Sequence, residues 1–190
     1  MPKPPRRRLA PEARRLEIVE AAERLLQAHG PKVRVEDVVR EAGVAKGTFF
    51  LYFPSWDDLL DTVRERLVAE FDTLYPLPTE VDGPVDWPAT VDWLAAAFID
   101  FAAARQGIGQ ALFHSDYTDR RPLADNAVLR LSAVIRAGQE AGAFGPIEPD
   151  PTARLLFAAI DEAARAVAAG EPREAVLTAL CTLLRRTLAP

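Results

Sequence analysis

Apolar residues near the start of the chain recur at helical spacing: Leu16, Val19, Ala22, Leu25 and Leu26, after Pro11 and before His29-Gly30. Proline suits the first helical turn and glycine the residue past the last, so these positions predict the bounds of a first helix. A short second helix follows from about Val35, with Val35, Val38 and Val39 inward, and stops at Ala42-Gly43. A third opens at Ala45 or Lys46 and ends near Phe53-Pro54, because proline disfavours helical geometry in the residue before it. Ser55 caps a long fourth helix with Asp57 and Asp58 in its first turn, where the helix dipole favours negative charge. Leu59, Leu60, Val63, Leu67 and Phe71 carry the apolar face of that helix. Residues 75–88 hold four prolines and a glycine and read as a loop. Helical periods resume at about 89–105, 107–114, 122–141, 151–169 and 172–188. Strand-like alternation is absent. The pattern predicts an all-α chain of about nine helices.

A chain of 190 residues, about half of them apolar, can bury a core without staples. It has no run of about 18 apolar residues, so no membrane span is expected. The basic start, "MPKPPRRRLAPEARR", lacks the apolar stretch of a secretory signal. A lone cysteine, Cys181, rules out an internal disulfide or a multi-cysteine metal site and suits a reducing cytoplasm. Charge changes the picture most. Residues 1–55 carry 11 Lys+Arg against 7 Asp+Glu, whereas the remainder carries 12 against 21. A basic first quarter on an acidic body fits contact with a polyanion there, or else a solvated charged tail.

Two short helices around a tight glycine turn, the second opening on small polar residues, suggest a helix-turn-helix. In such a unit the second helix lies in the major groove of duplex DNA. Gly47 lets backbone approach closely, and Lys46 and Thr48 supply donors near its N-terminus. Phe49 and Phe53, four apart, should pack back onto the first two helices, while Phe50 and Tyr52 lie nearer the DNA, where the Tyr52 hydroxyl can donate to a phosphate.

The stretch "VEDVVREAGVAKGTFFLYFPSWDDLL", preceded by "IVEAAERLLQAHG", resembles the tetracycline-repressor (TetR) family of transcriptional regulators over residues 14–65. The resemblance implies a basic arm and DNA-binding domain over residues 1–54 and a helical effector-binding and dimerisation domain over 55–190. It implies repression from a palindromic operator, relieved by a small-molecule effector. Four positions depart from the family pattern: Ala45 in place of a capping serine, Phe50 and Leu51 in place of Tyr and His, Trp56 in place of lysine, and Val39 in place of alanine. Leu51 therefore sits at a DNA-contact position without a donor. Lys3, Arg6, Arg7, Arg8, Arg14 and Arg15, with Arg34 at the second helix, are candidates to compensate on phosphates or in a minor groove.

In the body, Phe71, Tyr75, Trp93, Phe98, Phe101, Phe113 and Tyr117 concentrate aromatic area. They suit either ordinary core or an apolar effector lining with His114, Gln110 or Asp161 as polar handles. In the last two helices, Leu156, Ile160, Ala163 and Val167, then Val176, Leu177, Leu180 and Leu184, form stripes for a four-helix interface between two copies or for the chain's own core. Palindromic DNA favours the homodimer.

Other readings are weaker. His114, Asp116 and Asp119 in "FHSDYTD" lack a second histidine and a recognised metal spacing, and neither a glycine-rich phosphate loop nor a nucleophile elbow is present. Neither an enzyme, a metal nor a cofactor is expected. The basic arm has little apolar surface before Leu9, a poor membrane anchor. The alternative to a regulator is a helical adaptor or small-molecule binder with weakened or lost DNA binding.

Overall fold

A computed structural model describes residues 10–78, 84–117 and 126–190. Among these the secondary structure is helical, without strands: α1 (Pro11–His29), a 3-10 turn (Gly30–Lys32), α2 (Val35–Glu41), α3 (Lys46–Tyr52), α4 (Trp56–Leu74), α5 (Trp87–Ala104), α6 (Gln106–Phe113), α7 (Asn126–Glu140), α8 (Pro149–Ala168) and α9 (Arg173–Leu188). The expected ends of α1 hold: Pro11 opens it, and Gly30, at φ 58°, donates its N–H to the Leu26 carbonyl. Ser55 and Asp58 cap α4 reciprocally. The Asp58 N–H donates to Ser55 Oγ at 3.1 Å, and the Ser55 N–H donates to Asp58 Oδ2 at 2.9 Å. Two of the helix's first amide donors are thereby satisfied. The expected loop is shorter than its prolines suggested. Asp86 accepts from the Ala89 N–H and starts α5 at Trp87, with Pro88 inside the first turn, where its missing N–H costs nothing.

The chain divides into two compact units, residues 1–67 with 107–121, and 68–106 with 122–190. The compact units thus divide inside α4, whereas the sequence reading sets its domain boundary after residue 54, and a distant segment containing α6 joins the first unit. Packing explains this. Gly107 lies against the last turns of α1, where a Cβ would fall 2.3 Å from the Gln27 carbonyl oxygen. Tyr117 donates to Asp61 on α4 at 2.6 Å. The core of the first unit includes Ile18, Ala22, Leu26, Val38, Phe49, Phe53, Leu59, Val63 and Leu112, all essentially inaccessible.

In the second unit α5, α7, α8 and α9 pack on one another. Their shared core holds Val91, Ala95, Ile99, Leu131, Ile135, Phe144, Leu156, Ile160, Leu180 and Leu184. Arg173 reaches Asp100 through two hydrogen bonds, and Arg185 reaches Asp92 at 2.6 Å, tying α9 to α5 at its rim. Exposed pairs of this kind contribute only modestly, and the apolar core carries the stability.

Candidate nucleic-acid interface and effector residues

The helix-turn-helix is built by local rules. Asp37 on α2 accepts from the Arg34 N–H at 3.1 Å, which holds its carboxyl below the usual carboxylate range. The turn after α2 places Gly43 at φ 62°, a left-handed conformation that glycine adopts without a Cβ penalty. Val44 then donates back to the Val39 carbonyl at 3.0 Å. Helix α3 has Ala45 as its N-cap and lacks a side-chain cap, as that residue implies. With seven residues it is too short to persist on propensity, so packing must hold it. Phe49 and Phe53 provide that packing, at 0% and 1% exposure with ring centroids 5.7 Å apart. Arg15 stacks over the Phe53 ring at 4.9 Å and donates to Thr62 Oγ1 at 3.0 Å.

These contacts redistribute the expected DNA-facing residues. Gly47, Phe50 and Leu51 are exposed on α3, whereas Thr48 and Tyr52 are half-buried. Lys46 is exposed, but its ammonium donates to Glu36 on α2 at 2.6 Å, so a phosphate must compete with that carboxylate. The Arg34 guanidinium donates to the carbonyls of Pro31 at 2.7 Å and Val33 at 3.0 Å, bracing the entrance to α2. Arg14 pairs with Glu17, and Arg15 is committed to Phe53 and Thr62. Both side chains thus have partners within the first unit. Lys3, Arg6, Arg7 and Arg8 lie outside the described residues, as does Asp119.

The expected effector residues separate into two sets. Phe71, Tyr75, Trp93, Phe98 and Phe101 gather in the second unit. Phe71 makes edge contacts with Phe98 and Phe101 at 6.0 and 5.2 Å and a tilted contact with Tyr75 at 5.0 Å. Trp93, 43% exposed, meets Tyr75 at 5.9 Å, and Phe157 extends the cluster from Phe98 at 5.3 Å. Two arginines escaped the sequence reading. Arg105 lies 4.0 Å over Phe101 and pairs with Glu70. Arg130 lies 5.3 Å over Phe71, pairs with Asp72 and donates to the Tyr75 carbonyl. Arg105 stacks on a neighbour one helical turn back, but its partner Glu70 and all the partners of Arg130 lie far off in sequence, so no local spacing announces those pairings. Asp161, on α8, pairs with Arg165 one turn on.

Phe113, His114 and Tyr117 belong to the first unit. His114 is exposed and Phe113 half-buried. Gln110 lies beside Gly30, where a Cβ on the glycine would meet its Oε1 at 3.4 Å. Tyr117, 1% exposed, spends its hydroxyl on Asp61 and lies under Arg64 at 5.5 Å. Burial, then the hydrogen bond to the Asp61 carboxylate, raises the phenol well above its ordinary value. A raised folded-state value means stability that is complete below about pH 10 and lost as pH rises further. Alkaline melting between about pH 9 and 11 should therefore show a stability loss that Tyr117→Phe reduces. At neutral pH the same variant should cost about 1–3 kcal/mol, because Asp61 loses a buried donor.

The stripes assigned to a second copy need correction. Leu156, Ile160, Ala163, Leu180 and Leu184 are at most 7% exposed and form the second unit's own core. Val167, Val176 and Leu177 are partly buried against it. Four helices in a single chain already satisfy these faces. The exposed leucines of α8 and α9 are instead Leu155 and Leu183, at 74% and 46%.

An exposed α3 set against α2 and locked by buried phenylalanines, followed by a helical second unit, defines a helix-turn-helix protein with an all-helical companion domain. The family model described as "Bacterial regulatory proteins, tetR family" matches residues 18–63, and the one described as "Tetracyclin repressor-like, C-terminal domain" matches residues 108–190. The chain belongs to the TetR family. The transcriptional regulator EthR of Mycobacterium tuberculosis is 31% identical over 103 residues, 52% of this chain and 47% of EthR. The chain thus spans less than half the length of the curated relatives it matches. A putative TetR-family regulator from Rhodococcus sp. superposes with a TM-score of 0.72 at 19% identity, covering 94% of this chain and 100% of that one. RolR in complex with resorcinol superposes with a TM-score of 0.66 at 18% identity, covering 91% and 88%. At these identities the superpositions establish the fold.

Proposed function

We propose that this chain is a ligand-responsive transcriptional repressor that binds a palindromic operator as a homodimer and acts in the cytoplasm without catalysis, cofactor or metal. The exposed face of α3, held against the first unit by Phe49 and Phe53, carries this reading. Lys46, Gly47, Thr48, Leu51 and Tyr52 meet the duplex, while Arg34 and the arm residues Arg6, Arg7 and Arg8 add phosphate contacts. Among the described residues, no helix is long and apolar enough to cross a membrane.

The effector is a small, largely apolar molecule held among Phe71, Tyr75, Trp93, Phe98 and Phe101. The resorcinol complex of RolR supports an aromatic ligand in this fold. The buried Nε of Arg130, without a hydrogen-bond partner among the described residues, would suit an oxygen substituent on that ligand. Helix α4 runs unbroken from the capped Ser55 end into this cluster at Phe71, so effector binding that favours one position of α4 biases the DNA-reading end. Dimerisation uses the outer faces of α8 and α9 around Leu155 and Leu183, with Val167, Val176 and Leu177 at their margins.

Selection of the purified chain on a pool of random duplexes tests the reading. A palindromic motif should emerge, and its affinity should fall about 10³-fold or more between 50 and 200 mM salt if six or more phosphates are contacted. Phenols and aromatic carboxylates that quench Trp93 fluorescence should release the duplex. A folded dimer that retains no motif would establish the binder without DNA function instead.

A further inference from the structure

The DNA-facing surface of α3 is apolar to an unusual degree. Gly47, Phe50 and Leu51, spaced i, i+3 and i+4, form its exposed strip. A Cβ on Gly47 would meet nothing within 4 Å, so the strip is open there. Leu51 is 82% exposed and Phe50 42%, with the Phe50 ring edge-on to buried Phe49 at 5.2 Å. Not one of these three residues offers a side-chain donor or acceptor. Lys46, the cation that opens α3, is held by Glu36, and Thr48 and Tyr52 are half-buried at the flanks.

A strip of this kind cannot read base edges by hydrogen bonds, yet one base presents an apolar group in the major groove. Thymine displays its C5 methyl there, and adenine, guanine and cytosine carry none. We infer that Leu51, flanked by Phe50, is a specificity-determining residue that selects operator half-sites by packing on a thymine methyl group. This inference rests on the DNA-binding reading above. The excess of cations in residues 1–55 favours a polyanionic duplex over an apolar protein surface as the occupant of the strip. Because Leu51 is already largely solvated, its contribution is gained on binding and not in folding.

The test separates this inference from the reading beneath it. Duplexes recovered from the random pool are remade with single deoxyuridine-for-thymidine replacements, which remove the methyl and leave base pairing intact. Binding of the full-length chain to each is then measured at fixed salt. At one or two thymines per half-site the replacement should weaken the wild type about fourfold, the effect of one buried methyl group, and about fifteenfold when both half-sites are changed. Leu51→Ala should lose that sensitivity while melting at the wild-type temperature, and Leu51→Met should retain it. If no thymine is sensitive, or Leu51→Ala pays the same penalty as the wild type, the inference is overturned while DNA binding stands. If a folded dimer recovers no motif at all, both fall together.

Discussion

Phe49→Ala should lower the stability of the first unit by about 3–5 kcal/mol and remove DNA binding with it. The side chain is fully buried, with Phe53 and Phe50 packed at 5.7 and 5.2 Å, so truncation opens a cavity lined by rings that cannot readily collapse. The consequence reaches beyond lost area. Helix α3 has two turns and no side-chain cap, so little besides this packing holds it helical. Denaturant unfolding followed by circular dichroism measures the effect. Leu51→Ala, on the same helix but exposed, serves as the comparison and should stay within about 0.5 kcal/mol of wild type. Equal small losses at both positions would mean that α3 is held by something other than Phe49.

The second large effect comes from one substitution made at two places in α6. At Gly107 an added Cβ would fall 2.3 Å from the Gln27 carbonyl oxygen and 2.5 Å from that of Leu26. Both are backbone atoms in the last turns of α1, so no side-chain rotation relieves the overlap. Either α6 withdraws or the end of α1 deforms, at a cost near or above the upper end of the usual 1–3 kcal/mol for overpacking. At Gly109, two residues on, a Cβ meets nothing within 4 Å. There the same change only improves helix propensity and should stabilise by about 0.5–1 kcal/mol. Thermal melts of Gly107→Ala and Gly109→Ala should therefore shift in opposite directions. Shifts of the same sign would show that α6 does not dock on α1 as described.

Much of this architecture is visible in local sequence because its causes are local. Pro11 and Gly30 bound α1, Ser55 with Asp58 caps α4, and Gly43 makes the turn ahead of α3, each through neighbours within a few residues. The same holds for the inward placement of Phe49 and Phe53, which the spacing of one helical turn dictates. The pattern also predicted that the last two helices carry apolar stripes, but a stripe states only that a partner face exists. Whether that face belongs to another copy or to the same chain depends on contacts across α5, α7, α8 and α9, and the chain's own core claims Leu156, Ile160, Leu180 and Leu184.

The charged and aromatic residues divide in the same way. Their types were legible, but their partners lie tens of residues away. Lys46 is met by Glu36, Phe71 by Arg130, and Tyr117 by Asp61. The Tyr117–Asp61 bond ties the segment after α6 to α4 within the first unit, while the Arg130–Phe71 contact lies in the second. By itself the sequence determined the helices, most of their ends and the family-bearing head, since backbone hydrogen bonding and side-chain periodicity act over one or two turns. Only the tertiary structure decided which apolar faces are spent inside the chain and which cations are already paired, because burial and ion pairing depend on distance in space.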